Sequence, residues 1–533
     1  MAKRVILFLA VFILIIVGFL PLVVMLVRSI MVEGHVSLAA YRELLNTGRE
    51  WRLLGHSFAL SFLTAMFATL VGLPLGILFG RTDMPFRRLF PVLFTCPLLI
   101  PPYVTAVSWV SLLGRDGFLS RTLTPDAAKV VSAWLFGLPG CVMVLFSAFL
   151  PIIILLTMAY LKTIDPSVEE AGRLVFGWPQ VLMKITLPLL LPGILFATLL
   201  VFLLTLGEYG VPSFLRYHVF AVESFTQFSA FYDFNAATAA ATPLLGVTFF
   251  ALVLERFFLH EKTLHIEPGP GSKYALVIRL GAMGKWFAAL TGLLCLFVVV
   301  LPFLVLLLRS LSINVYKEAF LRAGDGLLRS ILYAAIGASA LTILGFFLGY
   351  LVQTRAFRFW RSIDSLTIFL FALSGAVMGI GLISLWNRPI TNFVYGTPII
   401  IILGYLARYI VIPHRVTVSI LGQIPPSMEE AAKVAGASWL QRVGLVVIPL
   451  AKRGLVAGWL ISYIFCLRDM GITMLVYPPG HDTFPVRIFT LMANGSPELI
   501  AALCVLMAGI TLVPLGVGGM LYKLKGISLT RIG

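Results

Sequence analysis

The feature that most constrains the fold is an uninterrupted apolar run from Val5 to Val27. It contains 23 residues and no charged side chain. As an α-helix rising about 1.5 Å per residue it would be roughly 35 Å long, enough to cross the hydrocarbon core of a bilayer. It is too long for the apolar region of a signal peptide, and no A-x-A cleavage pattern follows it. The run therefore predicts a retained membrane span.

Eleven further apolar runs follow, so that the sequence predicts twelve membrane helices and an all-α polytopic membrane protein. They lie near 53–80, 89–113, 137–161, 190–215, 236–259, 286–308, 327–353, 363–387, 396–418, 450–476 and 498–523. Charged residues make up only 12% of the chain, about half of the usual roughly 25%. This composition excludes an ordinary soluble, disordered or fibrous protein. Pro97, Pro101 and Pro102 predict a kink in the third span.

The basic residues are unevenly divided between alternate loops. With the N-terminus inside, the inner segments hold 25 of the 40 Lys and Arg residues but only 10 of the 23 acidic residues. The positive-inside rule then predicts that both termini are cytoplasmic. The net charge of +17 is therefore interpreted as a topology signal. No soluble basic surface with aromatic residues exists that would bind nucleic acid. The five cysteines form no CxxC pair and no HExxH motif occurs, so no metal site is predicted.

An internal repeat divides the chain into two similar units. Residues 20–30 read LPLVVMLVRSI, and residues 301–311 read LPFLVLLLRSL. Because matching spans have the same predicted sidedness, the two six-helix units form a parallel repeat. The predicted organisation is a first unit at 1–259, a cytoplasmic linker at 260–285 and a second unit at 286–533.

Two inner loops, 161–193 and 421–454, are long, weakly apolar and alike. Each has a Pro, a Ser and a Glu pair opening a short helix with small residues, then a Gly and a Pro before the next span. Acidic residues in a first turn suit the helix dipole. The Glu pairs are Glu169 with Glu170, and Glu429 with Glu430. A cytosolic helix of this kind suits docking, because small residues allow a partner to approach closely.

These loops resemble the EAA loop of the membrane subunits of binding-protein-dependent ABC importers, written E-A-A-x3-G-x9-I-x-L-P. In the second loop Glu430, Ala431, Ala432 and Gly436 match the motif residue by residue, and Pro449 follows at the expected place. The first loop departs from it. There Glu170, Ala171 and Gly172 stand for E-A-A, but Phe176 occupies the glycine position and Gly177 follows it. Docking through the first copy is therefore expected to be looser or shifted.

The resemblance covers essentially the whole chain, as two permease units of the type I importer class fused in one polypeptide. It implies two separate cytoplasmic ATPase subunits, each receiving one EAA helix, and an external solute-binding protein. It also implies residence in the bacterial inner membrane, in contact with lipid. No G-x-x-x-x-G-K-[ST] motif occurs, so the chain is predicted to be no enzyme and to hold no cofactor, the ATP being used by its partners. Fused permeases of this pattern are similar to those for ferric iron, thiamine and aminoethylphosphonate.

Glu208 and Asp469 occupy equivalent positions late in the fifth spans. Ionisable groups in spans are functional candidates, and oxygen ligands suit hard cations, so a facing pair could line the path of a metal-bearing cargo. The alternative is that both are helix-end residues, with Asp469 neutralised by Arg468. Ferric iron is the leading cargo hypothesis, with thiamine and phosphonate open. An ion-coupled secondary carrier is the rival from another class, but it leaves the twin EAA loops unexplained, and a membrane enzyme lacks an acid/base constellation.

Overall fold

The computed structural model describes residues 2–32, 35–38, 41–42, 46, 48–115, 117–231, 233–258 and 277–524. Nine helices in this part are long and apolar enough to span a membrane, and three more helix pairs pass the same test together but are bent at a short break. Counting each bent pair as one span gives up to twelve spans, six in each half. The described chain is all-α apart from one antiparallel hairpin, β1 (Met31–Val32) and β2 (His35–Val36), and an isolated bridge between Thr82 and Ile278.

The helices of the first half follow the order of the predicted spans. They are α1 (Ala2–Leu14), α2 (Leu20–Ser29), α3 (Gly48–Arg81), α4 (Leu89–Leu99), α5 (Pro102–Leu113), α6 (Pro125–Leu135), α7 (Leu138–Leu161), α8 (Pro166–Arg173), α9 (Trp178–Val181), α10 (Leu187–Leu206), α11 (Gly210–Phe214), α12 (Phe220–Ser229) and α13 (Phe234–Phe258).

The second half repeats this order. Its helices are α14 (Met283–Cys295), α15 (Leu301–Arg309), α16 (Ile313–Gln353), α17 (Trp360–Ala372), α18 (Gly375–Trp386), α19 (Asn392–Tyr395), α20 (Ile399–Tyr409), α21 (Val411–Leu421), α22 (Pro426–Val434), α23 (Trp439–Arg442), α24 (Ile448–Leu467), α25 (Thr473–Val476), α26 (Phe484–Leu491) and α27 (Pro497–Leu524). Its first helix begins three residues before the predicted 286. Most of the predicted linker, 260–276, lies outside the described residues.

Four π-helical turns mark the repeat most sharply. They span Ile15–Phe19, Leu182–Thr186, Leu296–Val300 and Val443–Val447, five residues each. In every case a proline follows two residues after the turn. Proline lacks an N–H and its ring clashes with the carbonyl four residues earlier, and the wider π turn accommodates both. The same local sequence thus produces the same local widening in the first and fifth spans of both halves.

The third span is bent in both halves. Helices α4 and α5 meet at 95°, at Ile100 and Pro101, which confirms the predicted kink. Helices α17 and α18 meet at 107° around Leu373 and Ser374, where no proline is present. The Ser374 hydroxyl instead accepts a hydrogen bond from the N–H of Ala376 at the start of the second segment. The bend is therefore a property of the architecture rather than of the prolines alone.

Small residues let the second span pack closely on the fourth in each half. A Cβ built at Gly76 would lie 2.6 Å from the Cβ of Thr157, and one at Gly349 would lie 2.6 Å from the Cβ of Thr417. These distances leave no room for a side chain, so glycine allows the helix backbones to approach. The contact is the same in both halves, as a structural repeat requires.

The first span of each half packs against the other half. Helix α2 lies along α18 of the second half, and α15 lies along α5 of the first half. The end of each span is fixed by an arginine that donates to a carbonyl across the boundary: Arg28 to Ser384 at 3.2 Å, and Arg309 to Ser111 at 3.1 Å. Each first span also packs on the last span of its own half, α2 on α13 and α15 on α27, so it joins the two halves.

Candidate functional site

The first EAA loop forms two short helices, α8 and α9, that lead back into the fifth span. The Asp165 carboxylate caps α8 by accepting the backbone N–H of Ser167 at 2.9 Å. This hydrogen bond lowers the pKa of Asp165, because it favours the charged form. Pro166 follows at the first helical position, where its missing N–H costs nothing. Together they fix where the helix begins.

The two glutamates of the first loop point in opposite directions. The Glu169 carboxylate lies 3.1 Å from the Arg81 guanidinium, and the two side chains are 1% and 5% exposed. It also accepts the Thr186 hydroxyl at 2.8 Å. Glu170 is exposed to solvent. The structure thus gives Glu169 the role of anchoring the loop and leaves Glu170 on its outer surface.

The second loop has the same division of roles with different partners. The Tyr350 hydroxyl donates to the Glu429 carboxylate at 2.8 Å, and the Arg442 Nε lies 3.4 Å from it. The Trp439 indole donates in turn to the Tyr350 oxygen at 3.1 Å. Glu430 is exposed. No sequence pattern indicated the roles of Arg81 and Tyr350, which lie 88 and 79 positions before the glutamates they hold.

The glycines of the two loops have different backbone conformations. Gly436 adopts a φ of 85° just beyond α22, where its N–H donates to the carbonyl of Lys433. This left-handed position favours glycine at the end of a helix. Gly177 instead has a φ of −70° and precedes α9 as its N-cap. The first copy therefore departs from the motif in conformation as well as in sequence.

The outward ends of α8 and α22 carry exposed apolar side chains at matching positions. Leu174 is 88% exposed and Val434 is 90% exposed. Singly exposed apolar residues are normal, but two at equivalent places in a repeat indicate a surface that contacts something. The remaining small residues of the motif are exposed at Ala171 and Ala431, half-buried at Ala432 and buried at Gly172.

The base of each loop contacts a segment that begins the other half. The Lys3 ammonium lies 5.2 Å from the centre of the Tyr350 ring, and Tyr350 holds Glu429 of the second loop. At the first loop, the N–H of Ile278 donates to the carbonyl of Arg81 at 2.7 Å, and Arg81 holds Glu169. The beginnings of both halves and both EAA loops thus share one face, named here the loop face.

Glu208 and Asp469 lie just past the fifth spans, which end earlier than predicted. Helix α10 ends at Leu206 rather than 215, and α24 ends at Leu467 rather than 476. Glu208 accepts the N–H of Gly210 at 3.1 Å, and Asp469 accepts the N–H groups of Ile472 and Thr473 at 3.2 and 3.0 Å. Each carboxylate therefore caps the short turn that follows the break.

The main partner of Asp469 is Arg408 rather than its neighbour Arg468. The Arg408 guanidinium lies 3.5 Å from the Asp469 carboxylate, and the Tyr409 hydroxyl donates to it at 2.6 Å. Arg408 lies within the predicted span 396–418 and received no role from the sequence, yet it ends α20 with its side chain only 15% exposed. An ionisable residue among apolar ones was the signal that could have found it.

Both carboxylates lie where the halves meet. A Cβ at Gly207 would lie 2.9 Å from the Cα of Ser374, and the Ser374 hydroxyl donates to the Gly207 carbonyl at 3.2 Å. On the other side, Arg468 donates to the carbonyl of Leu98. The end of each fifth span therefore meets the bent third span of the opposite half. With Arg408 and Arg468 nearby, the formal charges of the two acids are balanced.

Within the described part of the chain, no group of three or more His, Cys, Asp or Glu residues is placed to hold a metal ion. The cysteines described there are unpaired and mostly buried. The geometry therefore offers two short exposed helices on the loop face and a charged contact between the halves. With the apolar spans, these define a membrane protein built from two similar units.

Comparison with known proteins agrees with this class. Residues 72–260 match the family described as binding-protein-dependent transport system inner membrane component. The putative ferric transport system permease protein FbpB 1 of Haemophilus influenzae is 24% identical over 457 residues, covering 82% of this chain and 72% of the relative. The Fe(3+)-transport system permease protein FbpB 2 of the same organism is 22% identical over 480 residues, covering 88% and 90%. The molybdenum transport system permease protein ModB of Escherichia coli is 32% identical over 169 residues, covering 31% of this chain and 71% of the relative.

The chain belongs to the family of inner membrane components of binding-protein-dependent transport systems. It has the type I ABC permease fold, and it is a multi-pass inner membrane protein. As a permease subunit, it is not itself an enzyme. The resemblance seen in the EAA loops is thereby confirmed at the level of the family.

Proposed function

We propose that this chain forms the translocation pathway of an ATP-driven importer and couples to two cytoplasmic ATPase subunits through α8 and α22. The observation that carries the proposal is the matched pair of docking helices. Each is anchored by an inward glutamate and ends in an apolar side chain about 90% exposed, Leu174 or Val434. A helix held rigidly at its base can transmit a push from a bound partner to the span behind it.

The same proposal assigns the loop face to the cytoplasm, with both termini inside. It is supported by the excess of basic residues in the segments predicted to lie inside. The opposite face would then receive an external solute-binding protein. Large apolar side chains on the outside of the spans, such as Phe8 at 65% exposure and Phe12 at 49%, would contact lipid.

We propose ferric iron as the cargo. Two relatives that each align with more than four fifths of this chain are described as ferric transport permeases. Glu208 and Asp469, at the meeting of the halves, are the proposed pathway residues. Arg408 and Arg468 balance the charges of the two carboxylates. The cargo would therefore meet a cluster with no net charge, and each carboxylate would leave its arginine to contact the cargo.

Reconstitution tests the proposal directly. The chain would be placed in vesicles with its ATPase, and the solute-binding protein would present ferric iron, thiamine or aminoethylphosphonate. Uptake of iron that requires both ATP and the ATPase is the expected result. Uptake that persists without ATP or the ATPase would identify an ion-coupled carrier. ATP-dependent uptake of one of the other two solutes would keep the importer and replace the cargo.

A further inference from the structure

A cavity of about 400 Å³ lies at the end of the spans away from the loop face. It is bounded by the ends of α5, α6 and α15, with four basic side chains, Arg115, Lys129, Arg216 and Arg309, in its lining. None of its described lining residues is acidic. Four cations converging on one concave surface are unusual beside a membrane, because like charges repel unless a ligand or counter-charge separates them.

Arg309 forms the interior of the cavity and is held in place by its surroundings. Its side chain is 9% exposed, and it donates to the carbonyl of Ser111 at 3.1 Å. The Glu498 carboxylate, itself 47% exposed, lies 3.8 Å away. Arg309 therefore supplies a buried positive charge in a fixed position.

The other three basic residues are exposed around it. The Arg216 guanidinium lies 5.6 Å from the centre of the Phe136 ring, and its backbone adopts a left-handed φ of 56°. A non-glycine residue with a left-handed backbone conformation is locally strained, and such strain is common at binding sites. Lys129 pairs at 3.4 Å with Asp126, whose side chain is 95% exposed and thus well solvated. Glu498 and Asp126 offset two of the four charges, and the cavity keeps a positive excess.

We propose that this cavity binds a phosphate-type oxyanion, presented either by the headgroup of an anionic phospholipid or as a free ion. Guanidinium groups recognise phosphate through paired, charge-assisted hydrogen bonds, and three arginines line the site.

The helix beside the cavity gives the lipid source its support. On α6, Val130 is 69% exposed and Trp134 is 47% exposed, while Lys129 of the same helix lines the cavity. A helix with exposed apolar and tryptophan side chains on one side and a basic residue on the other suits the membrane–water interface. An acyl chain could lie along Val130 and Trp134 while its phosphate meets the arginines.

The repeat provides a matched control. Arg388 is the counterpart of Arg115 in the second half, with the same spacing of 273 that separates Ser111 from Ser384. It is equally solvent-exposed but does not line the cavity. Replacing it removes the same charge from the same face without touching the proposed site.

The test measures binding and does not depend on transport, so it stands or falls separately from the proposed function. The full chain would be purified with Arg115→Gln/Arg216→Gln, with Arg388→Gln and unchanged. Retention of phosphatidylglycerol against phosphatidylcholine would be measured by native mass spectrometry, and binding of inorganic phosphate by titration calorimetry in phosphatidylcholine nanodiscs. We expect roughly a tenfold or greater loss of affinity for each guanidinium removed, the scale of a charge-assisted hydrogen bond.

Selective loss of phosphatidylglycerol in the double variant supports the site with a lipid occupant, and selective loss of phosphate binding supports it with a free ion. If the unchanged protein binds neither probe, the proposal is overturned. It is also overturned if Arg388→Gln loses as much binding as the double variant, which would indicate an effect of general surface charge. If both probes are indifferent and only the affinity for the solute-binding protein falls in the double variant, the cavity is a protein contact and the phosphate site is wrong.

Discussion

The Arg81 guanidinium and the Glu169 carboxylate lie 3.1 Å apart with both side chains almost fully buried. They join the end of the second span to helix α8, 88 positions apart in the sequence. The contact fixes the loop to the helix bundle. It also gives two adjacent glutamates different roles, because Glu169 is buried against Arg81 and Glu170 is exposed.

We expect Glu169→Ala to loosen the first EAA loop. Removing one partner of a buried ion pair leaves the other charge uncompensated, at a cost of about 3–5 kcal/mol. Thermal unfolding and amide exchange across 161–193 would measure the change. The matched control is Glu170→Ala, whose side chain is exposed and whose effect should stay within about 0.5 kcal/mol. Similar effects of the two variants would contradict the division of roles.

Replacing the exposed apolar residues Leu174 and Val434 by aspartate should weaken the complex with the ATPase subunits. Leu174→Asp and Val434→Asp place a charge where the proposed contact excludes water, and each should lower affinity about tenfold or more, which corresponds to about 1.4 kcal/mol. Binding of the purified ATPase would be measured by surface plasmon resonance. Leu321→Asp, at a residue 87% exposed, serves as the control away from the coupling helices. Unchanged binding in both tip variants would remove α8 and α22 from the interface.

Glu208 and Asp469 should respond differently to neutral substitution. Glu208→Gln keeps an oxygen that can accept from Gly210, so folding should survive while ferric uptake falls if the carboxylate lines the path. Asp469→Ala leaves Arg408 without its carboxylate and should lower stability by about 3–5 kcal/mol. Unfolding temperature and ATP-dependent uptake would be measured together. Normal uptake in Glu208→Gln would make that residue a structural cap only.

The cap at Asp165 predicts a pH dependence. Because the hydrogen bond from Ser167 lowers the pKa of Asp165 below its ordinary 3.8, the charged cap stabilises the helix fully above that value and loses its effect as the pH falls through the lowered pKa. Asp165→Ala should therefore speed amide exchange in Pro166–Arg173 at neutral pH and approach the unchanged protein in strong acid. Asp165→Asn keeps an uncharged side chain that can still cap the helix. Faster exchange at neutral pH in both variants would therefore show that the charge of Asp165, rather than its hydrogen bond to Ser167, stabilises the helix.

The sequence predicted the spans, the repeat and the two loops because each rests on a local pattern. It could not distinguish Glu169 from Glu170, since only the position of Arg81 decides which one turns inward. It gave Arg408 no role, because its partner Asp469 lies 61 residues further on. The bend at Ser374 could not be predicted, because no proline lies there. For Glu169 and Arg408, what the sequence left open was the partner, which lies on another helix far along the chain.

The packing of the first helices across the boundary bears on how the protein is made. Arg28 must wait for the carbonyl of Ser384, which is synthesised 356 residues later. The first helix to enter the bilayer therefore waits for its partner in the second half. Assembly of the bundle completes only when the second half has been inserted. If the chain were cut between the halves, the two fragments would still be held together by the packing of each first span on the other half.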